Sequence, residues 1–143
     1  MSGVLEGIRV LDFGRYIAGP FCGTMLADLG AEVIRVEKLE GSEDRWVTPV
    51  VDGGEGSMFL QMGRNKLGLT LNPMKPEGRE IVKKLVAASD VVIANLPYED
   101  LQKMGIDYES LSAINPRIIL ATTSTFGSEG PYKTRVGFDT IGQ

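Results

Sequence analysis

Apolar residues occur in short, nearly unbroken runs separated by amphipathic stretches. IRVLDF (8–13), AEVIRVE (31–37), DVVIANL (90–96) and RIILATTSTF (117–126) are rich in β-branched residues. Each predicts a strand buried on both faces. KLGLTL (66–71) alternates and predicts a further strand. After the first run, Pro20 suits the opening turn of a helix, because its missing N–H would be unpaired there anyway. Phe21, Met25, Leu26 and Leu29 follow at helical spacing and predict one apolar face turned to the core, with Gly30 as the stop. KPEGREIVKKLVAASD (75–90) predicts a second helix, with Pro76 and Glu77 in its first turn and Ile81, Val82, Leu85 and Val86 as its stripe. YEDLQKMG (98–105) and YESLSAIN (108–115) predict short helices, and FDTIGQ (138–143) opens another. Residues 40–58 are polar and glycine-rich and predict a long loop.

Strands alternating with helices predict an α/β fold: a Rossmann-like open, mostly parallel sheet with helices on both faces. Residues 1–143 form part of one domain, without internal repeats. The last run, GFDTIGQ, ends one turn into a helix with no cap, so a fragment of a larger fold is expected.

Charge and composition narrow the chemistry. Net charge is −4, with 43% apolar and 24% charged residues. No nucleic acid partner is expected, and an anionic ligand needs a local cluster of cations. No apolar run nears the roughly 18 residues of a membrane span. MSGVLEGIRV lacks the basic-then-apolar order of a signal peptide, and one cysteine permits no internal disulfide, so a cytoplasmic protein is expected. The chain has no histidine. That excludes Ser-His-Asp and Cys-His catalysis and HExxH zinc sites within it. No metal site is expected, and acid–base or nucleophilic work falls to Asp, Glu, Lys, Tyr or Cys22.

The stretch LDFGRYIAGPFCGTMLADLGAEVIRVEK (11–38) has the strand–turn–helix–strand layout of a dinucleotide fold, with Glu37 where a ribose-binding acid would sit. Its glycines fall at 14, 19 and 23, not in the G-x-G-x-x-G pattern. An NAD-binding oxidoreductase domain therefore stays open beside glycines that merely permit a tight turn. GGEGSMF (53–59) is not a P-loop, and reads as a flexible loop or a lid. Cys22, with apolar neighbours and no histidine, reads as core packing. Lys38, Arg45, Arg64, Lys66, Lys75 and Lys103 are spread over loops and element ends and read as solvated surface. Lys38 and Asn95, however, lie at the carboxyl ends of strands, where open α/β sheets bind ligands. Asp139 reads as the N-cap of the last helix.

The ordered set of LEGIRVLDFGRYIAGPFCGTMLADLGAEVIRVEK, GRNKLGLTLNPMKPEG, ASDVVIANL, MGIDYESLSAINPRIILATTSTFGSEGPY and GFD resembles the opening part of the family III CoA-transferases, the CaiB/BaiF group. That group also includes the α-methylacyl-CoA racemases. The resemblance implies a coenzyme A site at the turn after the first strand, with CoA or acyl-CoA as substrate and no tightly bound cofactor. It implies that Lys38 meets a phosphate or flanks the adenine and that Leu71 lines the adenine slot. Lys75, Lys103 and Met104 would lie along the nucleotide. Asn95 would offer its amide to CoA, and Tyr16 would lie by the pantetheine arm. It implies transfer of CoA between an acyl-CoA and a carboxylic acid through an aspartyl-CoA thioester. The nucleophilic aspartate would lie beyond Gln143, with Asp139 an acidic neighbour of the active site, so this chain alone is expected to be inactive. An interlocked homodimer of the full-length protein is implied, or a complementary C-terminal half.

Departures matter. Phe138 stands where the racemases carry histidine, which counts against the alternative of an acyl-CoA racemase. Ile17 replaces the glutamine of the formyl-CoA enzymes. LPYED (96–100) lacks the aromatic and the Pro-Gly that often follow the asparagine, and Lys75 falls one place late. A non-catalytic CoA-binding module remains the other alternative.

Overall fold

The apolar runs form five parallel strands, β1 Arg9–Asp12, β2 Glu32–Glu37, β3 Leu67–Thr70, β4 Val91–Ala94 and β5 Ile119–Thr122, in a computed structural model that describes residues 3–143. Their order is β3-β2-β1-β4-β5. Helices α1 (Ala18–Asp28), α2 (Ser57–Gly63), α3 (Pro76–Ala87), α4 (Tyr98–Met104), α5 (Tyr108–Ile114) and α6 (Asp139–Gly142) connect and flank them. From β1 the chain runs outward to β2 and β3, then returns to place β4 on the other flank of β1. The direction therefore reverses between β1 and β4, and their carboxyl ends form the crevice where open sheets of this kind take ligands.

Alternation along each strand divides the core in two. Leu11, Phe13, Val36 and Val92 pack with Val82 and Val86 of α3, Leu101 of α4 and Leu111 of α5. On the opposite face, Val10, Val33 and Ile93 meet Ala27 and Ala31 at the end of α1. Gly30 and Gly105 follow α1 and α4 with φ of 103° and 70°, the left-handed geometry that ends a helix cheaply in glycine.

The structure departs from the sequence-based expectations at four places in the fold. The stripe Phe21, Met25 and Leu29 of α1 is roughly half exposed, at 44%, 51% and 48%. The buried face is instead Gly19, Pro20, Gly23, Thr24 and Ala27. The helix lies too close to the sheet for large side chains: a Cβ on Gly23 would come within 2.9 Å of an Asp12 carboxylate oxygen. Residues 40–58 are not a free loop. They contain a 3-10 turn, Glu43–Trp46, whose Asp44 is fully buried. The sequence pattern also gave no sign of α2. This helix has no side-chain cap and is held from outside, where Thr24 Oγ1 donates to the Met62 carbonyl at 2.6 Å and Asn65 Nδ2 to the Ala27 carbonyl at 3.2 Å. β5 stops at Thr122, short of the apolar run, because its partner β4 ends opposite at Ala94.

Candidate functional site

The turn after β1 directs three successive amides onto side-chain acceptors. Gly14 N donates to Asp12 Oδ1 at 2.8 Å, Arg15 N to Asn95 Oδ1 at 2.6 Å and Tyr16 N to Asp44 Oδ2 at 3.2 Å. A phosphate-binding turn leaves such amides facing the ligand. Here two of the three acceptors are carboxylates, which would also repel an anion. The glycines serve contact instead. A Cβ on Gly14 would meet Pro20, and one on Gly19 would come within 3.0 Å of Asn95 Oδ1. The spacing of 14, 19 and 23 is thus that of a helix start seated tightly on the sheet edge.

Beneath the turn lies a buried set of charges. Lys66 Nζ is 2.7 Å from Asp12 Oδ2 and donates to the Pro20 carbonyl at 2.6 Å. Burial pulls the Lys66 ammonium below its ordinary value, against the attraction of Asp12. Arg35 donates through one nitrogen to both Asp44 oxygens, at 2.8 and 2.7 Å. Its Nε and Nη1 make no hydrogen bond among the described residues. Nε lies 4.0 Å from a Glu37 oxygen, so the buried charge is compensated by the hydrogen-bonded pair with Asp44 and by the more distant Glu37 carboxylate. Arg15 donates to the carbonyls of Phe13 and Gly14 at 2.9 Å each. Burial and then the nearby Arg35 charge lower its pKa.

Glu37 is 2% exposed and fully engaged. Its oxygens accept from Arg45 Nη2 at 2.6 Å, Arg45 Nε at 2.8 Å and Ser42 N at 3.0 Å. Burial alone would raise this carboxyl, but the hydrogen bonds from Arg45 and Ser42 outweigh it and hold the carboxyl below its ordinary value. The reading of Glu37 as a ribose-binding acid is therefore overturned: no free oxygen faces a ligand. Phe59 packs against two guanidinium groups, its ring centre 3.9 Å from the Arg45 carbon and 5.1 Å from that of Arg35. Lys66 and Arg45, read as solvated surface, are respectively buried and mostly buried.

The other expected site residues divide into two groups. Tyr16 has φ 59°, and its ring stands edge-on to Phe138 at 5.2 Å between centroids, which brings the start of α6 beside the turn. Asp139 is exposed at the first helical position, and Phe138 is the N-cap, one residue earlier than expected. Asn95 closes the clamp on Arg15 by donating to its carbonyl at 2.8 Å. Ile17, the N-cap of α1, is half exposed. Tyr16, Ile17, Asn95 and the Phe138–Asp139 pair thus gather at the carboxyl edge. Lys38, Leu71, Lys75, Lys103 and Met104 occupy the ends of other elements. Lys38 is exposed and paired with Glu43, and Lys103 is exposed and 3.2 Å from Asp100. Leu71 lies in the core, Met104 packs against it, and Lys75 is the N-cap of α3.

Sequence reasoning missed Asp12, Arg35 and Asp44. The signal for Arg35 was present: a charged residue inside an apolar strand, two places before Glu37 and so on the same face. Cys22 packs against the smaller core, as expected, and burial and then Asp12 push its thiol up.

Residues 5–143 match the family model described as CoA-transferase family III. The chain is 41% identical over 146 residues to the succinate–glutarate CoA-transferase of Agrobacterium fabrum, covering 97% of this chain and 36% of that protein. It is 40% identical to the human succinyl-CoA:glutarate CoA-transferase, covering 96% of this chain and 32% of that one. A crystal structure of a CAIB/BAIF family protein from Brucella suis superposes with a TM-score of 0.91 at 42% identity, over 99% of this chain and 38% of that chain. The chain therefore spans about a third of the length of the curated relatives it matches. With this match along nearly its whole length, the same ordered strands and no open dinucleotide turn, the chain belongs to CoA-transferase family III.

Proposed function

We propose that residues 1–143 are the N-terminal part of a CoA-binding Rossmann-like domain, in a protein that transfers coenzyme A between an acyl-CoA and a carboxylic acid. The observation that carries this reading is the family match over residues 5–143. The crevice between β1 and β4, where Tyr16, Ile17 and Asn95 converge, supports it. In this reading Tyr16 and Ile17 flank the pantetheine arm. Asn95 acts at the crevice by fixing Arg15. Lys38, Lys75 and Lys103 are exposed cations suited to the phosphates, with Leu71 and Met104 as apolar neighbours of the nucleotide. The reaction proceeds in the covalent sense. An aspartate carboxylate, beyond Gln143, attacks the thioester carbonyl and expels CoA thiolate, leaving a mixed anhydride. The thiolate attacks the aspartyl carbonyl, releases the first acid and forms the aspartyl-CoA thioester. The acceptor acid then reverses these steps. Asp139 stands beside the reacting groups. Because relatives are named for succinate and glutarate, short dicarboxylic acids are the acceptors to try first.

Isothermal titration of the full-length gene product with CoA tests the ligand; absence of heat with both CoA and acyl-CoA removes the proposal. The 143-residue chain alone is expected to show no turnover, and measurable transfer by it would mean that the nucleophile lies within these residues.

A further inference from the structure

Tyr16 holds a left-handed backbone conformation that only glycine adopts without strain, at the crevice where β1 and β4 diverge. Asp12 and Asn95 fix the two amides before it from β1 and from the end of β4. The third support comes from farther away. Asp44, in the 3-10 turn after β2, accepts the Tyr16 N–H, and Arg35 of β2 grips both oxygens of Asp44 in a buried pair. The pair is buried on both sides, so it cannot be a solvated surface bridge, and among the described residues the one backbone group at the crevice that its side chains hold is the Tyr16 N–H. From this geometry we infer that Asp44 and Arg35 are positioning residues. They hold Tyr16 left-handed, set its ring edge-on to Phe138 and fix the direction in which α1 leaves the turn. The ligand served is the acyl-CoA thioester, so the inference rests on the functional reading above.

Removing the acceptor frees Tyr16 to relax to negative φ, which withdraws its ring from the crevice. In the full-length gene product, Asp44→Ala should weaken CoA binding about tenfold, the order expected when a non-glycine residue loses its support in this region. The loss should appear in KM for the acyl-CoA far more than in kcat. In a Tyr16→Gly background the same change should cost less than about twofold, because glycine needs no support there. Should Asp44→Ala leave Arg35 uncompensated and unfold the protein, Arg35→Met/Asp44→Leu removes both charges together and should reproduce the loss in a folded protein. Losses that multiply across the two backgrounds, or that fall in kcat alone, would overturn the inference while leaving the functional reading intact. A wild-type gene product that binds no CoA would remove that reading and this inference with it.

Discussion

Lys66 sets its ammonium 2.7 Å from a carboxylate oxygen of Asp12, with both side chains out of water. The pair joins the loop before β3 to the end of β1, under the first turn of α1. Its attraction in a low-dielectric interior offsets two desolvation costs, and neither partner is tolerable alone. Lys66→Met should destabilise the fold by about 3–5 kcal/mol in urea unfolding. Adding Asp12→Asn should recover much of that loss, since the amide oxygen can still accept from Gly14 N.

The Glu37 carboxyl titrates lower in the folded state than in the unfolded chain, where its ordinary value is about 4.5. The unfolded state thus binds more protons in the acid range. The stabilising contribution is complete above about pH 4.5 and is lost as pH falls through the lower folded value. Unfolding midpoints measured from pH 6 down to about pH 3 should fall steeply, and Glu37→Gln should flatten part of that slope. An unchanged slope would show that Arg45 does not hold this carboxyl.

Gly78 lies in the first turn of α3, and its missing side chain matters more than its helix propensity. A Cβ there would drive into the backbone carbonyl of Asn72, well inside contact distance. Alanine is the better helix former by roughly 1 kcal/mol. Gly78→Ala should nonetheless destabilise by about 1–3 kcal/mol, because the Asn72 carbonyl must move. Thermal unfolding that rises instead would refute the clash.

Cys22 is partly buried, and burial and then Asp12 hold its thiol above the ordinary value. Less thiolate means slower attack on electrophiles. Iodoacetamide should label Cys22 more slowly than a free thiol such as glutathione at neutral pH, with the rate climbing as pH is raised. Labelling as fast as the free thiol would place Cys22 in a more open and more cationic setting.

Much of the architecture was legible in local pattern. The four continuous runs and the one alternating run each became a strand. Burial on both faces accounts for the unbroken apolar residues of β1 and β4, whereas β5, at the sheet edge, is not buried on both faces as expected and leaves Ile119 61% exposed. The glycines of the first turn were legible only as glycines. Their purpose depended on what stood opposite, and opposite were Asp12, Pro20 and Asn95 rather than a phosphate. The apolar stripe of α1 misled for a related reason. Helical periodicity shows which residues share a face, but not which face the sheet receives, and the close approach over Asp12 and Lys66 selects the small one.

Hydrophobic periodicity along the chain determined the alternation of strands and helices, because strands and helices repeat over a few residues and need no distant partner to be recognised. The ordered motifs determined the family resemblance. Tertiary structure alone decided where the charges went: Asp12 with Lys66 54 residues away, Asn95 with Arg15 80 away, and Glu37 sealed by Arg45 rather than open to a ribose. Pairings of that kind depend on strand order and on which groups burial removes from water, and neither quantity is written in any short stretch of residues.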